Sequence, residues 1–389
     1  MSDPEVLLFT IDAGGGHRAA ARALAAAAEE TRAPFRLRVE SFQQILIELD
    51  VLKRVTGFSI EDGYNLILRR RWSAAMVPLL RLVHAAIRVR RRAIVRTLAA
   101  WLRRSRPRPA AVVSVMPNFN GVMRDAIREA VPGTPLVVVL TDFADFPPRF
   151  WIEPGLDSVV VGSDEAREQA RAIGIPDERV CRVSGMVMHP RFYRAGGPSV
   201  RGRVRAELGL GDADFAVTLL FGGKGSPEIA PLSEELLAAD AAFHVIAICG
   251  DNPALFERLG PLEARAGGRL VRLGFTDRIA ELLAASDLLV TKPGPGSLSE
   301  AFHQRVPVVV TRNIHTIPQE RFNTDFVRDR GLGRVVSRTV DIPAAALRLF
   351  GDAAERAAIR ERLAALPENR AVYEVTDIVA AHARHQTSD

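Results

Sequence analysis

Val6-Leu7-Leu8-Phe9-Thr10-Ile11-Asp12-Ala13-Gly14-Gly15-Gly16-His17-Arg18 begins on a short run of branched apolar residues, turns on three glycines and enters an alanine-rich stretch over residues 19–30. Such a run reads as a buried strand, the glycines permit a tight turn with close backbone approach, and a helix start favours negative charge. Strand, glycine turn and helix together are the opening of a parallel α/β layer, and the rhythm continues outward. Strand-like runs recur at 37–41, 111–115, 136–141, 158–161 and 180–184, then at 215–221, 244–249, 270–273, 287–291, 306–311 and 334–336, with helix-like segments between them. Alternation of this kind builds parallel sheets covered by helices on both faces. Residues 185–202, rich in Gly, Pro and Arg, interrupt the rhythm and mark a boundary. The expected fold class is α/β, with two doubly wound Rossmann-like domains at 1–190 and 203–370 and a last helix, 371–389, packing back toward the first.

The rest of the composition narrows the class. A chain of 389 residues, 48% hydrophobic and 25% charged, is long enough for two buried cores. Two cysteines, Cys181 and Cys249, give neither a disulfide framework nor a zinc set, which fits a reducing cytoplasm. The acidic start and the absence of an uncharged apolar run of about 18 residues argue against a secretion signal and a membrane span. Net charge is +6, but between Gly63 and Arg124 there are 14 arginines and no Lys, Asp or Glu. A local cationic stretch of this kind attracts an anionic surface. Aromatic residues there are few, Tyr64, Trp72 and Trp101 among them, so a base-stacking nucleic-acid surface is not expected.

In open α/β sheets ligands sit beyond the carboxyl ends of the strands. His17, at the start of the first helix, is a candidate general base, because its reference pKa of about 6.5 lies near neutrality. Gly14-x-Gly16-x-x-Ala19 also satisfies the dinucleotide fingerprint, with Glu40 about 20 residues on as the ribose acid, although the bulky His17 would crowd a pyrophosphate. The second half carries two more turns, Gly222-Gly223-Lys224-Gly225-Ser226 and Lys292-Pro-Gly294-Pro-Gly296-Ser297, the latter followed by Glu300. Neither is a GxxxxGK[ST] loop; two such turns on one sheet edge suit a diphosphate. Gln319, Glu320 and Asn323 at the next helix start form a hydrogen-bonding set for a sugar.

Taken together, Gly14-Gly-Gly-His17-Arg-Ala, Thr141-Asp142 with Trp151 beyond it, Gly222-Gly223, Gly274-Phe275-Thr276, Thr291-Lys-Pro-Gly-Pro-Gly296 and Gln319-Glu320-x-x-Asn323 resemble the monogalactosyldiacylglycerol synthases and processive diacylglycerol glucosyltransferases. These are GT-B glycosyltransferases, related more distantly to the N-acetylglucosaminyltransferase of peptidoglycan lipid synthesis. The resemblance implies two domains facing across a cleft and a UDP-sugar held by the second. Backbone at Phe275 would meet the uracil, Glu300 the ribose, Ser226, Gly296 and Ser297 the diphosphate, and Gln319 and Glu320 the hexose, with Gly222, Gly223, Gly294 and Asn323 completing the donor site. The first domain would hold a diacylglycerol-type lipid, with Gly16 and Trp151 on the acceptor side and His17 and Asp142 facing the hydroxyl; either could be the base. Departures from the family pattern are Phe146-Pro147-Pro148, where relatives tend to have a histidine, and Gly185-Met-Val-Met-His189-Pro190, in place of Gly-x-Pro-Val-Arg.

Residues 77–104 read as an amphipathic helix with Leu79, Val83, Ile87, Ile94, Leu98 and Leu102 on one face and Arg81, Arg88, Arg92, Arg96 and Arg103 on another. The expectation is an inverting hexosyltransferase, moving galactose or glucose and peripheral on the inner face of the cell membrane. Its partners are a UDP-sugar, a diacylglycerol-type lipid and anionic phospholipid; no cofactor and no metal ion are expected, with helix starts, backbone N–H groups and Lys224 meeting the charge of the leaving diphosphate. Alternatives are N-acetylglucosaminyl transfer to a polyprenyl-type lipid, a UDP-sugar epimerase, a non-catalytic sugar-nucleotide binder and, least, an NAD-dependent oxidoreductase.

Overall fold

Each expected strand forms in the computed structural model, which describes residues 3–11, 15–46, 76–211, 214–240, 242–314 and 316–385. The first sheet contains β1 (Glu5–Thr10), β2 (Arg36–Ser41), β3 (Ala111–Ser114), β4 (Leu136–Val139), β5 (Ser158–Val161) and β6 (Val180–Arg182) in the order β2-β1-β3-β4-β5-β6. The second contains β7 (Phe215–Leu220), β8 (Phe243–Gly250), β9 (Leu270–Gly274), β10 (Leu288–Thr291), β11 (Val308–Thr311) and β12 (Gly333–Val336) in the order β12-β11-β10-β7-β8-β9. All neighbours run parallel. Strands covered on both faces explain the continuous apolar runs: every residue of β4 and β10 is buried. Burying each such Val or Leu is worth about 1.5–3 kcal/mol before chain entropy is charged against it.

The strand orders matter for function. Read from its third strand, the second sheet runs β9-β8-β7-β10-β11-β12, the dinucleotide-binding order with its reversal between β7 and β10. In the first sheet the reversal lies between β1 and β3. At those two points adjacent crossovers leave in opposite directions and open a crevice at the strand ends.

The chain divides into two compact units, one of Met1–Pro190, Ile317–Gln319 and Asn369–Asp389, the other of Arg191–Thr316 and Glu320–Glu368. Residues 191–202, read from sequence as a boundary, fold into the second unit as the helix Arg191–Arg194 and the start of the helix Pro198–Glu207. That helix is fastened by Asp287, whose carboxylate accepts from Arg201 at 2.7 Å, Arg205 at 3.2 Å, Arg360 at 3.1 Å and the Ala216 amide at 3.0 Å. Arg205 is nearly fully buried, a position tolerable for a charge only when it is paired. In the first unit the helix Gly16–Glu30 turns a face of Ala20, Ala21, Ala23, Leu24, Ala27 and Ala28 inward. Such small side chains allow close approach, and the helix Ala371–His385 packs against this helix and β3.

The helix Met76–Arg104 corrects the sequence reading of its faces. Ile94, Leu98 and Leu102, expected in a membrane interface, are buried, and Leu98 and Leu102 belong to the domain core. The apolar residues left in solvent are Leu82, 67% exposed, and Val89, 85% exposed, with exposed Ala85 and Ala86 between them. Spacings of three, four and seven place these four on one stripe. Trp101 packs on Phe9 at 5.7 Å, while Tyr64, Trp72 and the rest of 63–75 lie outside the described residues, as do the side chains of Leu79 and Arg81. Among the described residues no helix is long and apolar enough to cross a membrane.

Candidate active site

His17 stands at the reversal point of the first sheet. β1 ends at Thr10, and Gly15 adopts φ 86°, a conformation that strains any residue with a Cβ. The helix Gly16–Glu30 then starts without a side-chain cap, leaving its first N–H groups free of that partner, and a Cβ at Gly16 would meet nothing within 4 Å. Asp12 to Gly14 lie outside the described residues. The imidazole is half-buried by surface, with Nδ1 3.3 Å from the Thr141 hydroxyl and the ring 5.6 Å from that of Trp151. Burial drives its pKa down to about 4, against a backbone hydrogen bond with Val115 that raises it. The ring is therefore neutral at physiological pH. The cause differs from the helix-end field expected from sequence: protein mass around the ring withdraws water from the charged form.

β4 stops at Val139, so Asp142 lies on the loop that follows it rather than at the strand end. Its Oδ2 accepts from Trp151 Nε1 at 2.8 Å. Trp151, expected on the acceptor or membrane side, is instead fully buried in the core and can present no surface to either. Its backbone N–H donates to Asp145 Oδ1 at 2.7 Å and its carbonyl accepts from Asn120 Nδ2 at 2.8 Å, while Asn120 Oδ1 accepts from Ser114. Asp145, which sequence reasoning passed over, also accepts from the Arg149 amide, and burial raises its pKa to about 6 in opposition to those backbone N–H groups. Its signal in the sequence was slight, one more carboxylate three residues beyond Asp142.

In the second unit the glycine turns sit on either side of the β7/β10 reversal. Gly225 is demanded by close approach, since a Cβ there would stand 2.2 Å from the Cys249 carbonyl oxygen. Gly223 and Gly296 border open space, and Gly294 caps the helix Pro295–His303 by backbone alone, with Ser297 in its first turn. Ser226 is engaged with Glu228 at 3.4 Å. Lys292 lies close to both turns: its Cε would be 3.7 Å from a Cβ at Gly222 and 3.6 Å from one at Gly294. Lys224, the cation expected from sequence, is exposed. The chain has only three lysines, and two fall in these turns, a signal available from composition.

Gln319, Glu320 and Asn323 do not form one open polar face. Asn323 is fully buried and donates from Nδ2 to the Pro293 carbonyl at 2.8 Å, holding the turn; Glu320 is 8% exposed and pairs with Lys292 at 2.9 Å. Gln319 falls in the first unit, and its Oε1 is a buried acceptor with no hydrogen-bond partner among the described residues. Phe275, 65% exposed, follows the edge strand β9, away from the β7/β10 reversal. Glu300, one turn into its helix, has its pKa pushed up to about 7 by burial, which the nearby Arg191 only partly offsets. Among the described residues no His, Cys, Asp and Glu group has the arrangement to hold a metal ion.

Residues 17–187 match the family model of monogalactosyldiacylglycerol (MGDG) synthase. Over that stretch the chain is similar to the MGDG synthases. It is 30% identical over 218 residues to the processive diacylglycerol beta-glucosyltransferase of Bacillus subtilis (strain 168), a match covering 56% of this chain and 55% of that protein. To monogalactosyldiacylglycerol synthase 1, chloroplastic, of Arabidopsis thaliana it is 25% identical over 386 residues, 95% of this chain and 69% of that one. The chain thus spans little more than half the length of the Bacillus proteins it matches. Among solved structures, Arabidopsis thaliana UGT89C1 complexed with quercetin superposes with a TM-score of 0.65 at 16% identity over 98% of this chain and 99% of that chain. The architecture is GT-B.

A ribose hydroxyl donating to Glu300 would favour the ionised carboxylate, and bonds to charged acceptors exceed neutral ones by about 1 kcal/mol. Since the group ionises as pH rises through about 7, uridine affinity should strengthen about three- to fourfold between pH 6 and 8. Uridine carries no phosphate to titrate in that range, so calorimetry reads the protein group. Glu300→Gln should show no slope, and a flat wild-type profile would remove Glu300 from ribose binding.

Proposed function

We propose that the protein is an inverting glycosyltransferase that moves galactose or glucose from a UDP-sugar to the hydroxyl of diacylglycerol or a related lipid on the inner face of the cell membrane. The observation that carries the reading is a neutral imidazole at the reversal point of the first sheet, backed by the Asp142–Trp151 hydrogen bond. Relatives named for this chemistry and a matched family model support it.

In this scheme the lipid oxygen attacks the anomeric carbon, its proton passes to His17, and the bond from that carbon to the diphosphate breaks with its electron pair leaving on UDP. A hydrogen bond of 3.3 Å is longer than the usual range, so Nδ1 is the nitrogen whose Thr141 partner an acceptor hydroxyl can replace. Asp142, bonded to the Trp151 indole that lies against the His17 ring, orients the imidazole or the acceptor. Charge on the leaving diphosphate is met by the uncapped start of Pro295–His303, the N–H groups of the Gly222–Ser226 turn and Lys292, released from Glu320; no metal ion enters the scheme. Glu320, freed in turn, accepts from a hexose hydroxyl.

The membrane side of the proposal rests on the stripe Leu82, Ala85, Ala86 and Val89, flanked by exposed Arg88, Arg92 and Arg96. Apolar residues entering the headgroup boundary between arginines that meet phosphates describe an interfacial helix. Each arginine near an anionic surface adds about 1 kcal/mol.

Lipid mass spectrometry after incubating the protein with diacylglycerol vesicles and either UDP-galactose or UDP-glucose tests the activity. One added hexose per transfer is expected; a changed UDP-sugar with no lipid product would point to an epimerase instead. His17→Ala should lower turnover by about 10²–10⁴-fold with UDP affinity near wild type. Turnover within threefold of wild type beside an inactive Asp142→Asn would move the base to the carboxylate.

Co-sedimentation separates the two parts of the surface. Leu82→Ser with Val89→Ser should weaken binding to neutral and anionic vesicles alike, whereas Arg88→Gln, Arg92→Gln and Arg96→Gln together should weaken only the anionic, salt-sensitive part. Binding unchanged in both variants would take the helix out of the interface.

A further inference from the structure

The helix Met76–Arg104 makes a polar contact on the side away from its exposed stripe. His84 Nε2 donates to Asn118 Oδ1, and the His84 ring lies 6.4 Å from that of Phe150. Asn118 has φ 72°, a left-handed conformation that costs a residue with a Cβ and persists only where its surroundings enforce it. Two bonds do so here, the one from His84 and the Asn118 amide donating to the Phe150 carbonyl at 2.7 Å.

That strained residue sits in the middle of the segment from Val115 to Asn120, and both ends of the segment bear on the candidate active site. Val115 makes the backbone hydrogen bond to the His17 imidazole, and Asn120 holds the Trp151 carbonyl at 2.8 Å. Phe150, bonded to the centre of the segment, is the chain neighbour of Trp151, whose indole donates to Asp142 and lies against His17. The same helix is anchored a second time by Arg91, bonded to Asp125 at 2.5 Å and to the Gly121 carbonyl at 3.0 Å. Arg91 fixes the helix to the following helix as a body; His84 is the contact that reaches the strained segment.

We propose that His84 is a positioning residue: through Asn118 it ties the helix Met76–Arg104 to the segment that aligns Trp151 and His17, so that the seat of the lipid-facing helix sets the geometry of proton transfer. His84 touches neither substrate. Its part is to hold the Asn118 kink, without which Phe150 and Trp151 lose one of their fixed neighbours. The coupling rests on the glycosyltransferase reading above for its consequence in turnover, while the structural link is independent of it.

The experiment therefore has two readouts. In transfer assays on phosphatidylglycerol vesicles carrying diacylglycerol, His84→Ala should lower kcat by about tenfold to a hundredfold, as misplacement of reacting groups does, with the KM for the UDP-sugar and vesicle co-sedimentation within about twofold of wild type. His84→Gln retains a donor at similar reach and should recover most of the loss. Asn118→Ala deletes the acceptor and leaves the left-handed backbone unheld; it should lose at least as much as His84→Ala, and the double variant should be no worse than Asn118→Ala, the non-additivity of one shared bond. Additive losses, no rescue by glutamine, or a His84→Ala enzyme of wild-type kcat would overturn the proposal.

Hydrogen–deuterium exchange reads the link without turnover. In His84→Ala the amides of Asn118 and Trp151 should exchange faster while those of β4 keep their protection. Unchanged exchange at both amides overturns the coupling whether or not the protein transfers sugar. Faster exchange in His84→Ala, beside a wild-type protein that transfers no sugar, overturns only the activity reading.

Discussion

Parallel pairing is the constraint from which the rest of this molecule follows. A strand whose neighbour runs the same way cannot be joined to it by a hairpin, so every connection must cross over one face and return through a helix. All strands of a sheet then end on the same edge, and the loops leaving that edge accumulate there regardless of their distance in sequence. His17, Val115 and Asp142 are brought together in the first unit this way, as are Gly222, Lys292 and Gly294 in the second. The reversal in strand order decides which loops flank a crevice, and in each sheet the glycine turns lie at that point.

Position alone would leave the side chains free, and the first unit removes that freedom with a buried polar network around Trp151. The indole has no exposed surface, yet its ring N–H, amide and carbonyl each have a partner, Asp142, Asp145 and Asn120 respectively. Leaving any of these unsatisfied would cost about 1–3 kcal/mol, so the set tolerates one arrangement and penalises others. Asp145 pays for its burial by gathering backbone N–H groups, and what it secures is the loop that carries Trp151. The second unit uses the same economy, with Asn323 holding Pro293 and Glu320 holding Lys292 beside the diphosphate turns.

Strands were legible because burial on both faces leaves unbroken runs of Val, Ile and Leu, as in Leu136–Val139, and the turns were legible because only glycine accepts the backbone of Gly15 or the contact at Gly225. Strand order was not legible, being a property of tertiary pairing. Nor were the faces of the Arg-rich helix: both Leu98 and Leu82 fit a helical period, and only packing distinguishes the buried residue from the exposed one. Lys224 and Lys292 occupy equivalent turns in the sequence, and the difference between them is where the side chain runs once the sheet is assembled. The polar set Gln319, Glu320 and Asn323 was visible, but that the Asn323 Nδ2 and the Glu320 carboxylate bond to the protein itself depends on a turn some 30 positions upstream.

Proton transfer at this strand edge depends on a neutral, buried imidazole. The direct measurement is an NMR titration of the His17 ring in the intact protein between pH 3.5 and 8, assigned by its loss in His17→Gln. A midpoint near 4, with no change through neutrality, is the result expected from its burial. A midpoint at about 6.5, the value of a solvated histidine, would contradict the burial and permanent neutrality of the ring.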